Sequence, residues 1–105
     1  MTKVELDPGI CGFKTEIKVT LQEDFKVKVV LDSECPHLKK VDLENTEIDV
    51  KKEFSKKLHN TLIYDKLSRH IPHLSCSIYP AVFKAIEVET GLALPGEVNI
   101  KFIDK

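Results

Sequence analysis

Three cysteines and one histidine are the residues of this chain best suited to chemistry. They are Cys11, Cys35, His73 and Cys76. Three thiols are too few for a disulfide framework, but thiolate sulfur and imidazole nitrogen are ligands that tetrahedral zinc prefers. The same set can hold an iron–sulfur cluster, although four cysteines are the more usual ligands. We therefore expect these four residues to form one metal site.

Other interpretations of these residues stay open. Cys11 and Cys35 can form a reversible disulfide with Cys76 as the attacking or resolving thiol, which would make the chain a redox protein or a thiol enzyme. All three can also be ordinary core residues of a protein-interaction module, because free cysteine is among the most buried residue types. His37 is a second candidate for the fourth metal ligand, and Asp32 is a weaker oxygen donor. The chain has no C-x-x-C pair that would decide between these interpretations.

Two of the cysteines stand where a helix is expected to begin. Cys35 precedes Pro36, a residue tolerated in the first helical turn, and Ser33 can cap that turn. Cys76 directly precedes Ser77, the expected N-cap of the clearest helix. The N-terminus of a helix carries partial positive charge and free N–H groups, which favour thiolate over thiol. These positions therefore predict two sulfurs in the form that binds metal or attacks an electrophile.

Several segments have the alternation of half-buried strands. Apolar and polar residues alternate over 13–21 and again over 25–31, and residues 22–24 between them are typical of a short hairpin loop. An earlier strand at 3–6 is possible but short. Residues 98–102 alternate in the same way and predict a final strand that returns to the sheet.

The length of the hairpin loop predicts which residues face each other. A three-residue loop places Val19 opposite Val27 and keeps the apolar side chains of both strands on one face. A two-residue loop would set apolar residues opposite outward-facing ones. Extending the three-residue register places Cys11 opposite Cys35, and directly opposed residues have Cβ atoms about 4.5–5.5 Å apart. We therefore expect these two cysteines to be cross-strand neighbours.

The middle of the chain is expected to be helical. Thr46 begins an acidic variant of the capping box, and segment 61–71 predicts a short helix that ends before Pro72. The clearest helix extends from Ser77 to a C-cap at Gly91. The core stripe of the first helix would consist of Val50, Phe54 and Leu58, at i, i+4 spacing. Together the segments predict one α+β domain over 1–105, with an antiparallel sheet built on the N-terminal hairpin and the C-terminal strand and covered on one face by helices.

Composition limits the classes of function. The formal net charge of −1 and the small number of aromatic residues argue against nucleic-acid binding. No apolar run approaches the ~20 residues that span a bilayer, and no signal peptide is visible, so a cytoplasmic protein without membrane contact is expected. A protein partner is not excluded. Phosphate-binding loops, zinc-protease motifs and nucleophile elbows are missing, so whether the chain is an enzyme stays undecided.

Five segments carry distinctive residue combinations: P-G-I-C-G-F, E-C-P, H-L-S-C, P-A-x-x-K-A-x-E and A-L-P. In these segments the chain resembles a small family of uncharacterised proteins of methanogenic archaea and clostridia. That family has no established activity, so the resemblance implies no function, but it marks the same three cysteines and His73. The anaerobic host it implies would suit an oxygen-sensitive thiol or iron–sulfur site. The chain departs from the family pattern at Ser77, where a proline is expected directly after the cysteine.

Overall fold

The computed structural model describes residues 1–105 and has a four-stranded antiparallel sheet. The strands lie in the sheet in the order in which they occur along the chain. They are β1 (Thr2–Leu6), β2 (Thr15–Leu21), β3 (Lys26–Ser33) and β4 (Ile48–Asp49). The α+β class predicted from the sequence is confirmed, and the short early strand is present as an edge of the sheet.

Three α-helices pack with the sheet around a single hydrophobic core. The helices are α1 (Val50–Phe54), α2 (Leu62–Ser68) and α3 (Ile78–Glu89). Sixteen buried apolar residues from strands and helices form a single cluster, so the chain has one hydrophobic core. α3 packs against β1 and β2. None of the helices has both the length and the apolar character needed to cross a bilayer.

The N-terminal hairpin forms, but its predicted register is wrong by two residues. Val19 lies opposite Val29, not Val27. The connection contains a 3-10 turn in which Asp24 and Phe25 adopt φ angles of 57° and 55°, and this turn takes up the extra residues. A shift of two residues leaves every side chain on its own face, so the alternation of the sequence cannot distinguish the two registers.

The first helix begins later than predicted. The carboxylate of Asp49 accepts hydrogen bonds from the N–H groups of Lys51 and Lys52 and so caps α1, which Thr46 does not. Of the predicted core stripe, Val50 is buried, whereas Phe54 and Leu58 are partly exposed. The cause is that α1 ends after five residues, before the stripe completes its second turn.

Glu53 occupies the inward face that was predicted to be apolar. Its residue is 3% exposed, and its two carboxylate oxygens accept hydrogen bonds from the N–H groups of Leu62 (2.9 Å) and Ile63 (3.0 Å). These are the first residues of α2, whose N–H groups have no partner inside the helix. The buried carboxylate therefore joins α1 to α2.

The longest helix, α3, has the ends that the sequence predicts. Ser77 is the N-cap position, although its hydroxyl makes no capping hydrogen bond. At the other end Gly91 has φ 78°, and the N–H groups of Gly91 and Leu92 donate to the carbonyls of Val88 and Glu87. This is a Schellman motif, which needs a positive φ at its C′ residue and so favours glycine there.

The predicted C-terminal strand does not join the sheet. No strand follows α3, and residues 94–102 have no regular secondary structure. Val98, Ile100 and Phe102 are 62%, 77% and 87% exposed. The sheet is completed instead by β4, which pairs with residues Lys26 and Val27 of β3. The alternating pattern of 98–102 is therefore that of a strand without a partner within this chain.

Candidate thiol site

Two hydroxyl groups lie in hydrogen-bond contact at one end of the sheet. Thr15 and Ser33 form the last pair of the β2–β3 ladder, and their side-chain oxygens lie 2.7 Å apart. Thr15 Oγ1 also lies 3.5 Å from the carbonyl oxygen of Phe13. Ser33 Oγ accepts a hydrogen bond of 3.0 Å from the N–H of Cys35. The hairpin end and the turn that carries Cys35 are thus held together by polar contacts.

Cys35 lies in a short turn after β3 and is half-buried against the hydrophobic core. Its carbonyl accepts a hydrogen bond from the N–H of Lys39, and a 3-10 turn at Leu38–Lys40 follows. The helix expected to begin at Cys35 is therefore a single 3-10 turn, and such a short element cannot supply a substantial helix dipole.

Cys11 lies in the turn between β1 and β2 and is exposed. The turn is closed by a hydrogen bond of 3.0 Å from the N–H of Gly12 to the carbonyl of Gly9. Because the β2–β3 ladder ends at Thr15, Cys11 has no position opposite Cys35. The prediction that these two cysteines are cross-strand neighbours is wrong, because the chain leaves the ladder before Cys11 and because the observed register, extended outward, would place Phe13 opposite Cys35.

Cys76 is brought to the same end of the sheet by the length and anchoring of α3. The carboxylate of Glu89 accepts hydrogen bonds from Thr2 Oγ1 and from the N–H of Leu21, both 2.8 Å, which fixes the end of α3 at that edge of β1 and β2. The twelve residues of α3 extend about 18 Å, compared with about 23 Å for the seven residues of β2. Because α3 packs along β1 and β2 from this anchored end, we infer that its start lies towards Thr15, where β2 begins, and the electrostatic influence of Cys35 and Cys11 on Cys76 agrees with this.

All three cysteines consequently lie around one end of the sheet. We call this end, with Cys11, Cys35 and Cys76, the thiol end. Cys76, like Cys35, is half-buried and packs against the hydrophobic core. Burial raises the pKa of the Cys76 thiol, the N–H of Ile78 lowers it, and negative charge on Cys35 and on Cys11 raises it further. The electrostatic influence of both other cysteines agrees with their common location. The prediction that the helix start makes Cys76 a reactive thiolate is not supported, because desolvation of the thiolate is the largest effect.

The candidate nitrogen and oxygen donors differ in position. His73 is exposed, and its carbonyl accepts a hydrogen bond of 3.5 Å from the N–H of Cys76, so both residues belong to one turn. His37 is half-buried and Asp32 is exposed. No three histidine, cysteine, aspartate or glutamate side chains lie close enough together, as they stand, to share a metal ion.

Two tyrosines border the thiol end, and no sequence pattern predicts their pairing. The rings of Tyr64 and Tyr79 lie 5.4 Å apart between centroids. Burial raises the pKa of the Tyr79 hydroxyl, and negative charge on Tyr64 and on Cys76 raises it further. Tyr79 follows Cys76 by three residues, which is the spacing of neighbours at a helix start.

Comparison with known proteins identifies the family of this chain but no activity. No curated protein and no solved structure shows significant similarity to the chain. A family model does match: residues 2–102 correspond to the Family of unknown function (DUF6951), which is nearly the whole chain. The chain, with its α+β fold and its three cysteines around one end of the sheet, is therefore a member of the Family of unknown function (DUF6951).

Proposed function

We propose that the chain is a metal-binding protein that holds one thiophilic metal ion, of which Zn²⁺ is the best match, at the thiol end. The ligands would be Cys11, Cys35 and Cys76, with His73 as the fourth. The observation that carries the proposal is the electrostatic influence of both Cys11 and Cys35 on Cys76, which supports a common location for three cysteines that come from separate connections of the fold. Three thiolates and one imidazole suit the tetrahedral geometry of zinc.

The thiol end has a fixed part and an exposed part. Cys35 and Cys76 both pack against the core, so the elements around them hold their backbones in place. Cys11 instead lies on an exposed turn with Gly9 and Gly12 at positive φ, and a Cβ atom at either glycine would contact nothing. We infer that metal binding closes this turn over the two half-buried sulfurs, because the side chains must come closer to share an ion.

His73 is favoured over His37 as the fourth ligand. His73 and Cys76 belong to one hydrogen-bonded turn, so a movement of that turn carries the imidazole and the sulfur together. The imidazole of His73 is exposed and makes no hydrogen bond or ion pair, so binding a metal costs it no existing contact. His37 lies in the turn after Cys35, where the adjacent Leu38 is buried.

The alternative function, a thiol-based redox protein or enzyme, is less well supported. A reactive thiol needs a pKa at or below the ordinary value, so that the thiolate is populated near neutral pH. Burial raises the pKa of Cys76 instead. A metal ion removes this obstacle, because a coordinated thiol is deprotonated outright. The third alternative, a protein-interaction module with structural cysteines, predicts that a folded triple Cys→Ala or Cys→Ser variant still binds its protein partner.

Titration of the reduced chain with Co²⁺ in the absence of oxygen tests the proposal. Cobalt replaces zinc in thiolate sites and gives strong charge-transfer and d–d absorption that depends on sulfur ligation. We expect one Co²⁺ per chain, displaced by Zn²⁺, with a spectrum lost in Cys35→Ser and in Cys76→Ser. His73→Asn should weaken binding and change the d–d bands, whereas the matched exposed histidine variant His70→Asn should leave both unchanged.

The outcomes separate the three hypotheses. A wild-type chain that binds no Co²⁺, or a triple Cys→Ser variant that binds it equally well, would overturn the proposal. Iron and sulfide in protein purified without oxygen would replace the zinc ion by an iron–sulfur cluster at the same ligands. A disulfide that forms reversibly at a mild potential, without metal binding, would favour the redox alternative.

A further inference from the structure

The C-terminal segment 97–103 is the largest feature of the molecule that the fold leaves without a partner. It makes no hydrogen bond to the rest of the chain. Its apolar side chains are largely exposed: Val98, Ile100, Phe102 and Ile103. Exposed apolar residues that occur singly need no explanation, but a continuous apolar patch usually marks an interaction site.

The same segment has the sequence of a strand. Val98, Ile100 and Phe102 alternate with polar Asn99 and Lys101, which is the pattern of a strand with one face on a core. Valine, isoleucine and phenylalanine are also residues enriched in strands. A segment of this kind is stable only when a neighbouring strand pairs with its backbone.

The sheet has an open edge of matching length. β1 pairs only with β2, so the outer backbone groups of its five residues have no strand partner. Val4 and Leu6 on its inner face are only half-buried, although they pack against the core. A further strand beside β1 would cover these side chains and extend the core.

One carboxylate on the outer face of β1 has no cationic partner, and the tail could supply one. Glu5 lies directly opposite Glu16 across the β1–β2 pair, and Glu16 already forms ion pairs with Lys3 (3.8 Å) and Lys18 (3.3 Å). Glu5 itself forms no ion pair. When Ile100 and Phe102 are placed on the same side as Val4 and Leu6, the alternation puts Lys101 on the outer face, where it can lie beside Glu5.

We infer that residues 98–102 add as a strand to the β1 edge of a second copy of the chain, and that the two copies exchange tails reciprocally. Each copy carries one unpaired strand segment and one open sheet edge, so in a two-fold dimer both segments and both edges are paired. Addition of an extended segment to a sheet edge is an established mode of recognition, in which main-chain hydrogen bonds supply affinity. The inference concerns a surface away from the cysteines and does not depend on the proposed metal site.

The mass of the chain in solution, measured by sedimentation equilibrium under reducing conditions, is the first test. The full chain should be a dimer, and Ile100→Asp should make it a folded monomer whose circular dichroism loses only the contribution of the added strand, because Ile100 is exposed within each copy. Leu94→Asp is the matched control: this leucine is also exposed, to 91% against 77% for Ile100, but it lies before Pro95, outside the alternating segment. It should remain a dimer.

Charge exchange tests the position of the strand. Lys101→Glu should raise the dissociation constant of the dimer roughly 3- to 10-fold, since a cross-strand charge pair is lost twice per dimer. Adding Glu5→Lys to the same chain should restore the affinity. Both residues are exposed, so neither variant is expected to unfold the chain.

Nuclear Overhauser contacts in an equal mixture of two differently labelled chains distinguish exchange from the alternatives. The inference predicts contacts between residues 98–102 of one copy and β1 of the other. A monomer at all concentrations, a dimer unaffected by Ile100→Asp, or contacts to β1 only within one chain would each overturn it. The last outcome would instead make the tail a fifth strand of its own sheet.

Discussion

Removing the carboxylate of Glu89 tests how the fold positions Cys76. Glu89 accepts hydrogen bonds from Thr2 Oγ1 and from the N–H of Leu21, both 2.8 Å, and its side chain is 12% exposed. A hydrogen bond to a charged group contributes about 1.5–3 kcal/mol. Because Leu21 lies at an exposed strand end, its N–H can be hydrated again after the change. We therefore expect Glu89→Ala to lower the free energy of unfolding by about 3 kcal/mol, the lower end of the two-bond sum of about 3–6 kcal/mol.

Urea denaturation at neutral pH measures this loss, and Glu87→Ala is the matched control. Glu87 lies on the same helix, but its carboxylate makes no hydrogen bond or ion pair, so its removal should change the free energy of unfolding by less than about 0.5 kcal/mol. Equal effects of the two variants would refute the view that Glu89 anchors α3 to the sheet. Chemical shifts of the Thr2 and Leu21 amides should change in Glu89→Ala and stay constant in the control.

The pH dependence supplies a second readout with a defined sign. The hydrogen bonds from the N–H of Leu21 and then from Thr2 lower the pKa of Glu89 in the folded chain. A carboxylate whose folded pKa is lowered stabilises the fold above its unfolded pKa of about 4.3, and this contribution disappears as pH falls through the lower folded value. The stability difference between wild type and Glu89→Gln should therefore be constant near neutrality and shrink below about pH 4. A difference independent of pH down to acid unfolding would contradict this explanation.

Three further predictions follow from single contacts. Glu53→Ala should lower the free energy of unfolding, measured by urea denaturation, by about 3 kcal/mol, because two N–H groups at the start of α2 lose their buried acceptor. Glu97→Ala, an exposed control, should leave it unchanged. Equal effects of the two variants would contradict the role of Glu53 as a buried acceptor. Gly91→Ala should lower the free energy of unfolding by about 1 kcal/mol or more, measured by thermal unfolding, because its φ is positive; an unchanged midpoint would refute the Schellman argument. Alkylation of Cys76 in the metal-free chain, followed by mass spectrometry, should reach half its maximal rate above about pH 8.5, the value of an ordinary thiol, and a lower midpoint would revive the redox hypothesis.

Alternation predicted the faces of the hairpin but could not predict its register. Val19 and Val29 are buried as the pattern requires, and they are as well buried in either register, since two residues is one full period of a strand. The register is determined by the turn, where Asp24 and Phe25 adopt positive φ. Phenylalanine gives no sequence signal for this conformation, so the position of Cys11 could not be derived from the pattern.

The predictions for the first helix and for the C-terminal segment were wrong for a different reason. Glu53 is a charged residue on an inward face, and no helical periodicity marks a carboxylate that caps a neighbouring helix. The strand pattern of 98–102 is real, but a pattern states that a segment needs a partner and does not say in which chain the partner lies. The location of the cysteines at element boundaries, in contrast, was predictable, because loops carry chemistry at the ends of rigid elements.

The affinity of the reduced chain for Zn²⁺, measured by competition with a chromogenic chelator, tests the central claim most directly. The proposed site predicts one tightly bound Zn²⁺ per chain and loss of that binding in the Cys35→Ser/Cys76→Ser double variant, with folding retained. The matched exposed variant His70→Asn should bind as the wild type does. A wild-type chain that cannot compete with the chelator, or a double variant that competes equally well, would contradict a metal site at the thiol end.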